Sequence, residues 1–314
     1  MPVKVAEEWL NSCSGCEIAI LNLGETLLEV LPHLEFVHIP VLMDHKYFGQ
    51  LGEGDTHHID IPKATVGIIS GGIRNQEHLE IAEAMRRSCD VIIALGTCAT
   101  HGGIPALINQ WPNEELFERY YRTSETTDAK ATPSDPVLPP CLERSYALDE
   151  KIKVDIYLPG CPPHPDWIGE AIVALLEGRT PELPTKSVCD TCPTIKTGKG
   201  NLKHMNRFTH NAHYDPAKPV SEMQCLLEQG LQCMGPVTRG GCAGKTGEAP
   251  RCILARVPCQ GCFGPVQQEG NQLLDYLNAL ASNQIDLKSI TEKSTLLEFS
   301  GAHGLLRPKT ARSR

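Results

Sequence analysis

Val3-Lys4-Val5-Ala6-Glu7-Glu8-Trp9-Leu10-Asn11-Ser12-Cys13-Ser14-Gly15-Cys16 is the stretch that decides the fold. A strand-like run stops at a Cys-x-x-Cys, and a helical pattern opens near Glu17. At a strand-to-helix turn such a pair is either a thioredoxin-like dithiol or half of a metal site. The remaining cysteines choose between these. There are 14, at 13, 16, 89, 98, 141, 161, 189, 192, 225, 233, 242, 252, 259 and 262. So many in a reducing compartment point to metal rather than to disulfides.

Outward from Cys16, Ile18 to Leu31 follow a helical apolar spacing that ends at Pro32. Glu35 to Leu42 reads as a second strand and Ala64 to Ser70 as a third, running into Gly71-Gly72 and a helix over Gln76 to Ser88. Asp90 to Leu95 is a fourth strand, followed by Gly96-Thr97-Cys98. Lys153 to Leu158 is a fifth, ending in Pro159-Gly160-Cys161-Pro162-Pro163 before a helix over Asp166 to Leu176. Short apolar strands alternating with helices predict an α/β domain with a doubly wound parallel sheet. The carboxyl ends of its strands share one edge, where ligands bind. Cys13, Cys16, Cys98 and Cys161 each follow such an end, and four converging thiolates are what a [4Fe–4S] cluster needs. Taken singly, Cys98 or Cys161 is better explained as a buried apolar cysteine. All four together favour metal and weaken the dithiol reading. Gly15, Gly71, Gly72, Gly96 and Gly160 would let backbone approach the cluster closely. Cys89 and Cys141 have no paired spacing and read as structural.

Pro112 to Pro140 is a long polar excursion with some helix near Glu114 to Tyr121, either a partner contact or a surface insertion. From Pro181 the strand patterns fade. Cys189-x2-Cys192, Cys225-x7-Cys233, Cys242-x9-Cys252 and Cys259-x2-Cys262 follow, with little apolar periodicity. Little core is expected there, so metal must supply folding energy. By count, two [4Fe–4S] clusters or two structural zinc sites fit. Gly240-Gly241-Cys242-Ala243-Gly244-Lys245-Thr246 mimics a phosphate loop, but the first glycine of that motif would fall at Arg239. A helix over Asn271 to Ala281 and a weaker segment, Ile285 to Ile290, are expected to pack back on the sheet domain or on a partner.

At 314 residues two domains are expected. The formal net charge of -9 leaves no general nucleic-acid footprint. The basic tail from Arg307 reads as a solvated end. No run of about 18 apolar residues predicts a membrane span. The N-terminal stretch enters a strand directly, without a leader, so the cytoplasm is the expected compartment.

Three motifs carry a resemblance: Cys13-Ser-Gly-Cys16-Glu17, Gly96-Thr-Cys98-Ala-Thr-His-Gly-Gly103 and Pro159-Gly-Cys161-Pro-Pro163. With them the chain resembles the small subunit of [NiFe] hydrogenases over nearly its whole length. Val5 to Cys13 and Pro40 to Gly49 make it similar to the cytoplasmic, methyl-viologen-reducing branch that associates with heterodisulfide reductase. The resemblance implies a flavodoxin-like domain over 1–180 with a proximal cluster, an irregular cysteine-rich iron–sulfur domain over 181–270, and a helical segment and tail over 271–314. Carried over by position, it implies Cys13, Cys16, Cys98 and Cys161 as proximal ligands. Cys189, Cys192, Cys225 and Cys233 become distal ligands, and Cys242, Cys252, Cys259 and Cys262 medial ones. Cys189 stands where many relatives have histidine, and Cys252 where they have proline, so the resemblance implies three all-cysteine [4Fe–4S] clusters. The Ni–Fe centre would belong to a partner large subunit, and the electron acceptor would be an iron–sulfur or flavin subunit, heterodisulfide reductase among them. No catalytic residue is expected in this chain, with Glu17 as a candidate proton relay or a plain helix N-terminal acid. Arg74 would offset cluster charge or lie on the surface; His101 and His164 sit beside cluster loops without being ligands. Alternatives are a subunit of a quinone- or ferredoxin-linked complex related to the NADH dehydrogenase cluster subunit, a structural zinc protein and a hydrogen-sensing relative. The first commonly has two adjacent cysteines at its first motif and lacks the eight-cysteine extension.

Overall fold

The computed structural model describes residues 2–49, 58–128, 130–198, 205–206, 210, 212–247, 249–290 and 292–308. The basic tail therefore lies outside the described residues from 309 onward. The chain forms two compact units, Met1–Pro162 with Gly301–Arg314, and Pro163–Ser300.

The first unit runs β1 (Val3–Trp9), α1 (Gly15–Leu21), α2 (Glu25–Val30), β2 (Leu34–His38), β3 (Ala64–Ser70), β4 (Ile73–Asn75), α3 (Gln76–Ser88), β5 (Cys89–Leu95), α4 (Gly96–His101), α5 (Asn113–Phe117), β6 (Cys141–Tyr146) and β7 (Ile156–Leu158). Five strands form one sheet in the order β2-β1-β3-β5-β7, and all its pairings are parallel. This is the expected doubly wound α/β arrangement, with its switch in strand order beside β1. Both faces of β1 are covered, so Val5, Ala6, Glu7 and Glu8 are all buried. Ile69, Ile92, Ala94 and Ile73 build the core with Ile81, Ala82 and Met85 of α3. Asn75 caps α3, its Oδ1 accepting from the His78 amide at 2.8 Å.

The helix expected from Ile18 to Leu31 is broken into α1 and α2. Gly24 stands at φ +60, a left-handed value that ends one helix and starts another. β4 and β6 form a separate antiparallel pair, and Cys141 opens β6. Arg74 serves this pair instead of any cluster. Its guanidinium donates to Leu142 O and to Asn113 Oδ1, both at 2.5 Å.

The second unit contains α6 (Pro165–Leu176), α7 (Arg251–Leu254) and α8 (Gln272–Ser282), joined by short 3-10 turns and isolated bridges. The division falls at Pro162, earlier than the 180 expected, because α6 is bonded to the cysteine-rich chain. Trp167 Nε1 donates to Gly241 O at 2.8 Å, and the Lys245 amide donates to Asp166 Oδ2 at 2.8 Å. Lys245, the lysine of the phosphate-loop look-alike, is paired with Glu170 at 2.8 Å. The unit has more core than expected. Tyr276, Leu280, Met234, Val237 and Leu227 pack with Cys233 and Cys259. α8 thus packs inside this unit. The chain beyond it divides: Ser300 bonds Gln272 in the second unit at 2.9 Å, while the Ala302 amide donates to His101 O in the first at 3.1 Å. Among the described residues no helix is long and apolar enough to cross a membrane.

Candidate metal centres

The loops at the carboxyl edge of the sheet are tied in two pairs by hydrogen bonds, mostly of backbone. The Asn11 amide donates to Gly72 O at 3.1 Å, and the Gly72 amide returns to Asn11 O at 3.2 Å. That exchange pins the Cys13 loop to the end of β3. The Thr97 amide donates to Gly160 O at 2.9 Å, and the Gly160 amide donates to Thr97 Oγ1 at 2.9 Å, which ties the Cys98 loop to the Cys161 loop. Asn11 and Thr97 carry no sequence signal beyond lying next to the cysteine motifs.

The glycines are cut to the thiols. A Cβ on Gly96 would stand 2.3 Å from Cys16 Sγ, and one on Gly103 would stand 2.7 Å from Cys98 Sγ. A Cβ on Gly15 would meet Cys13 Sγ at 3.5 Å. Cys16 and Cys98 are buried; Cys13 and Cys161 are exposed. Burial first, then Glu17, then the Cys98, Cys161 and Cys13 thiolates push the Cys16 thiol well above its ordinary range. Burial, then Cys161 and Cys13, push Cys98 up to about 12. The fold thus brings all four expected residues into one electrostatic neighbourhood. Four thiolates become tolerable there only with cationic charge among them, so the donor set and its glycine cradle fit an iron–sulfur cluster.

Glu17 is buried beneath this edge, where the Ser70 hydroxyl donates to its Oε1; Oε2 has no partner. Glu7, on β1, is close enough for Glu17 to raise its pKa. His101 bonds Thr100 at 2.8 Å, and His164 caps α6 by accepting from the Asp166 amide at 3.2 Å.

In the second unit the eight cysteines fall into two groups that touch. A Cβ on Gly235 would lie 3.3 Å from Cys189 Sγ and 3.5 Å from Cys233 Sγ, so the backbone passes between those sulfurs. Burial pushes Cys189 up to about 11 against the pull of Lys196, with Cys192 and Cys225 adding to the rise. Burial pushes Cys233 up to about 12; the Gly235 and Cys259 amides oppose this, and Cys189 and Cys225 add to it. Cys259 is raised by burial, then by Cys233, Cys262 and Cys252, and Cys242 feels Cys252. The groups meet where the Cys259 amide donates to Cys233 Sγ at 3.4 Å. Cys89, buried in the sheet core, and Cys141 stand apart from all three sets. Among the described residues no three His, Cys, Asp or Glu side chains stand close enough to grip a single ion.

The family described as NADH ubiquinone oxidoreductase, 20 Kd subunit, matches residues 13–175. The chain is 39% identical to the vhu-type G-subunit of the F420-non-reducing hydrogenase from Methanocaldococcus jannaschii, over 95% of this chain and 94% of that one. It resembles a chain of an NAD+-reducing [NiFe]-hydrogenase solved in its H2-reduced state, at 30% identity and TM-score 0.51, covering 59% of this chain and 96% of the other. A [NiFeSe] hydrogenase from Desulfovibrio vulgaris Hildenborough shares the fold at 18% identity and TM-score 0.52, covering 84% of this chain and 94% of that one.

Proposed function

The chain belongs to the [NiFe]-hydrogenase small subunits, within the wider 20 Kd subunit family, and from that premise we propose that it carries electrons between a hydrogenase large subunit and a separate acceptor subunit. It is an oxidoreductase component that does not itself hold the complete active site. Cys13, Cys16, Cys98 and Cys161 would hold one [4Fe–4S] cluster. Cys189, Cys192, Cys225 and Cys233 would hold a second, and Cys242, Cys252, Cys259 and Cys262 a third. Such clusters, when bound, supply carriers that take one electron at a time.

The chain's own residues define the rest. The observation that carries the reading is the Gly96 and Gly103 backbone pressed so close to the Cys16 and Cys98 sulfurs that neither position has room for a side chain. Lys196 holds Cys189 O at 2.6 Å and Cys192 O at 3.2 Å and sets its charge beside that ligand group. Exposed Cys13 and Cys161 accompany a run of exposed apolar side chains, Ile18, Leu21 and Leu28, on α1 and α2. A large subunit covering that face would exclude water from the first cluster. We place the assembly in the cytoplasm, with heterodisulfide reductase as the acceptor; the name F420-non-reducing sets aside another acceptor for the relatives themselves. The 20 Kd match ends at residue 175, before Cys189, so the eight-cysteine unit is what favours hydrogenase over a complex subunit of that wider family.

The test is a metal count on the anaerobically purified complex. About twelve irons per chain with matching acid-labile sulfide, and nickel only with the large subunit, is the expected result. Zinc without sulfide overturns it. A Cys16→Ser chain should keep about eight irons and lose hydrogen-dependent dye reduction. Loss of all the iron together would contradict independent metallation of the two units.

A further inference from the structure

One buried carboxamide joins the cysteine turns of the second unit. Gln272 opens α8 and is 1% exposed. Its Nε2 donates to Thr238 Oγ1 at 3.0 Å and to the Gly264 and Gly261 carbonyls at 3.3 and 3.4 Å. Its Oε1 accepts from the Ser300 hydroxyl at 2.9 Å. Chemistry sets the orientation of this amide. Thr238 directs its own proton to Met234 O at 2.7 Å, so its oxygen can only accept from Gln272. The two glycine carbonyls bracket Cys262 and close the Cys259-x2-Cys262 knuckle. From Thr238 the ties run on to the other turns. Its carbonyl accepts at 2.9 Å from the amide of Val188, the residue before Cys189. Met234, the residue after Cys233, donates its amide to Cys259 O at 2.9 Å. Turns from both four-cysteine groups thus meet at the Gln272–Thr238 pair, and Thr238 is also 1% exposed. Glutamine is mostly exposed in proteins, and a buried amide is kept where its bonds are made.

We infer that Gln272 is a positioning residue for the cluster proposed at Cys242, Cys252, Cys259 and Cys262: through Thr238 it holds the Cys259-x2-Cys262 knuckle in register with the Cys233 and Cys189 turns. This rests on the cluster reading above. The knuckle carbonyls have other donors, since the Gly264 amide reaches Gly261 O at 2.9 Å and the Arg239 amide reaches Gly264 O at 3.0 Å. Gln272 is therefore not needed to satisfy them. What it adds is the link from the knuckle to Thr238. An apolar side chain of similar length would keep the packing and cut that link. The knuckle is shaped to the amide, because a Cβ on Gly261 would stand 3.2 Å from Nε2. Partners that orient ligand-bearing chain in this way strengthen metal retention without touching the metal.

The test compares complexes purified anaerobically with the wild-type chain, Gln272→Met, Thr238→Val, the double variant and Thr238→Ser. Iron and sulfide are counted, release of iron to a ferrous chelator is timed, and the reduced clusters are recorded by electron paramagnetic resonance. Gln272→Met should release about four of its irons roughly tenfold faster than the wild type. The signal of one cluster should change, with that of the first unit's cluster unmoved. Thr238→Val should do the same, and the double variant should be no faster than either single one, because both cut one link. Thr238→Ser keeps the hydroxyl and should behave as the wild type. Wild-type release and spectra in Gln272→Met overturn the inference. So do single effects that multiply in the double variant, and so does a uniform loss of iron that follows a lowered melting temperature, which assigns Gln272 to packing alone. Each of these leaves the electron-carrier reading standing. A wild-type chain without iron and sulfide overturns the cluster reading, and the glutamine's role falls with it.

Discussion

Gly96→Ala should stop the first unit from holding the cluster proposed for Cys13, Cys16, Cys98 and Cys161. Two independent effects act at this position. Its φ is +84, and an alanine held there costs roughly 1–2 kcal/mol. The larger effect is steric: the added Cβ would lie 2.3 Å from Cys16 Sγ, well inside any contact distance, and 3.5 Å from Gly160 O. Cys16 is buried, with its Sγ 3.7 Å from Leu95 O, so the sulfur has little space into which to retreat. The loop must move, and with it the Thr97–Gly160 ties that join the Cys98 and Cys161 loops. Iron should fall by about four per chain, with the eight-cysteine unit still loaded. Gly24→Ala is the matched control: φ +60, but nothing within 4 Å of the added carbon. It meets the backbone strain without the clash and should retain full iron. Equal iron in both variants, measured with sulfide on the purified complex, would sink the idea that this glycine shapes the site.

The carboxyl edge is legible in the sequence because parallel strands covered on both faces read as short apolar runs, and here each run ends in Gly and Cys. α3 is legible for a similar reason: Asn75 caps it, and Ile81, Ala82 and Met85 keep its period. β7 is shorter than its apolar run. The strand is Ile156–Leu158, although Asp155 still bonds β5: its amide donates to Ile92 O at 3.0 Å, and its carboxylate accepts from the Ile92 amide at 2.9 Å and from Arg86 at 2.5 Å. The β4–β6 ribbon leaves no readable pattern, since Ile73–Asn75 is too short for periodicity and its partner lies far along the chain. That ribbon also claims Arg74, whose place beside Gly71-Gly72 suggests a cluster role from sequence alone. The eight later cysteines can be counted in the sequence but not grouped from spacing alone. Their grouping depends on tertiary contacts such as Gly235 between Cys189 and Cys233, which leave no local trace. The core around Tyr276 is half hidden: Tyr276 and Leu280 keep helical spacing on α8, but Leu227, Met234 and Val237 come from turns that leave no repeat.

Glu7→Gln should flatten the pH dependence of stability by a large margin. Glu7 and Glu8 are neighbours on a central strand and therefore point to opposite faces of the sheet, both covered. Glu8 finds His38 at 2.6 Å and the Tyr47 hydroxyl at 3.2 Å. Glu7 is 2% exposed, and neither carboxyl oxygen has a hydrogen bond. Burial, then Glu17, then Glu8 raise its pKa from 4.5 to about 8. Below pH 4.5 both folded and unfolded chains hold the proton, and no penalty exists. Between pH 4.5 and 8 the unfolded chain has released it while the folded chain still holds it, so stability falls as pH rises. Above pH 8 the penalty is complete, on the order of 5 kcal/mol at about 1.4 kcal/mol per pKa unit. Glutamine has nearly the same shape and no proton to release. It leaves an unsatisfied amide in place of an unsatisfied acid, so near pH 5 the two chains should unfold at similar denaturant concentrations. By about pH 8.5 the glutamine chain should be the more stable by several kcal/mol, with its unfolding midpoint nearly level where the wild type declines. Parallel profiles for the two chains across this range would mean that Glu7 keeps its charge and a counter-charge within the fold.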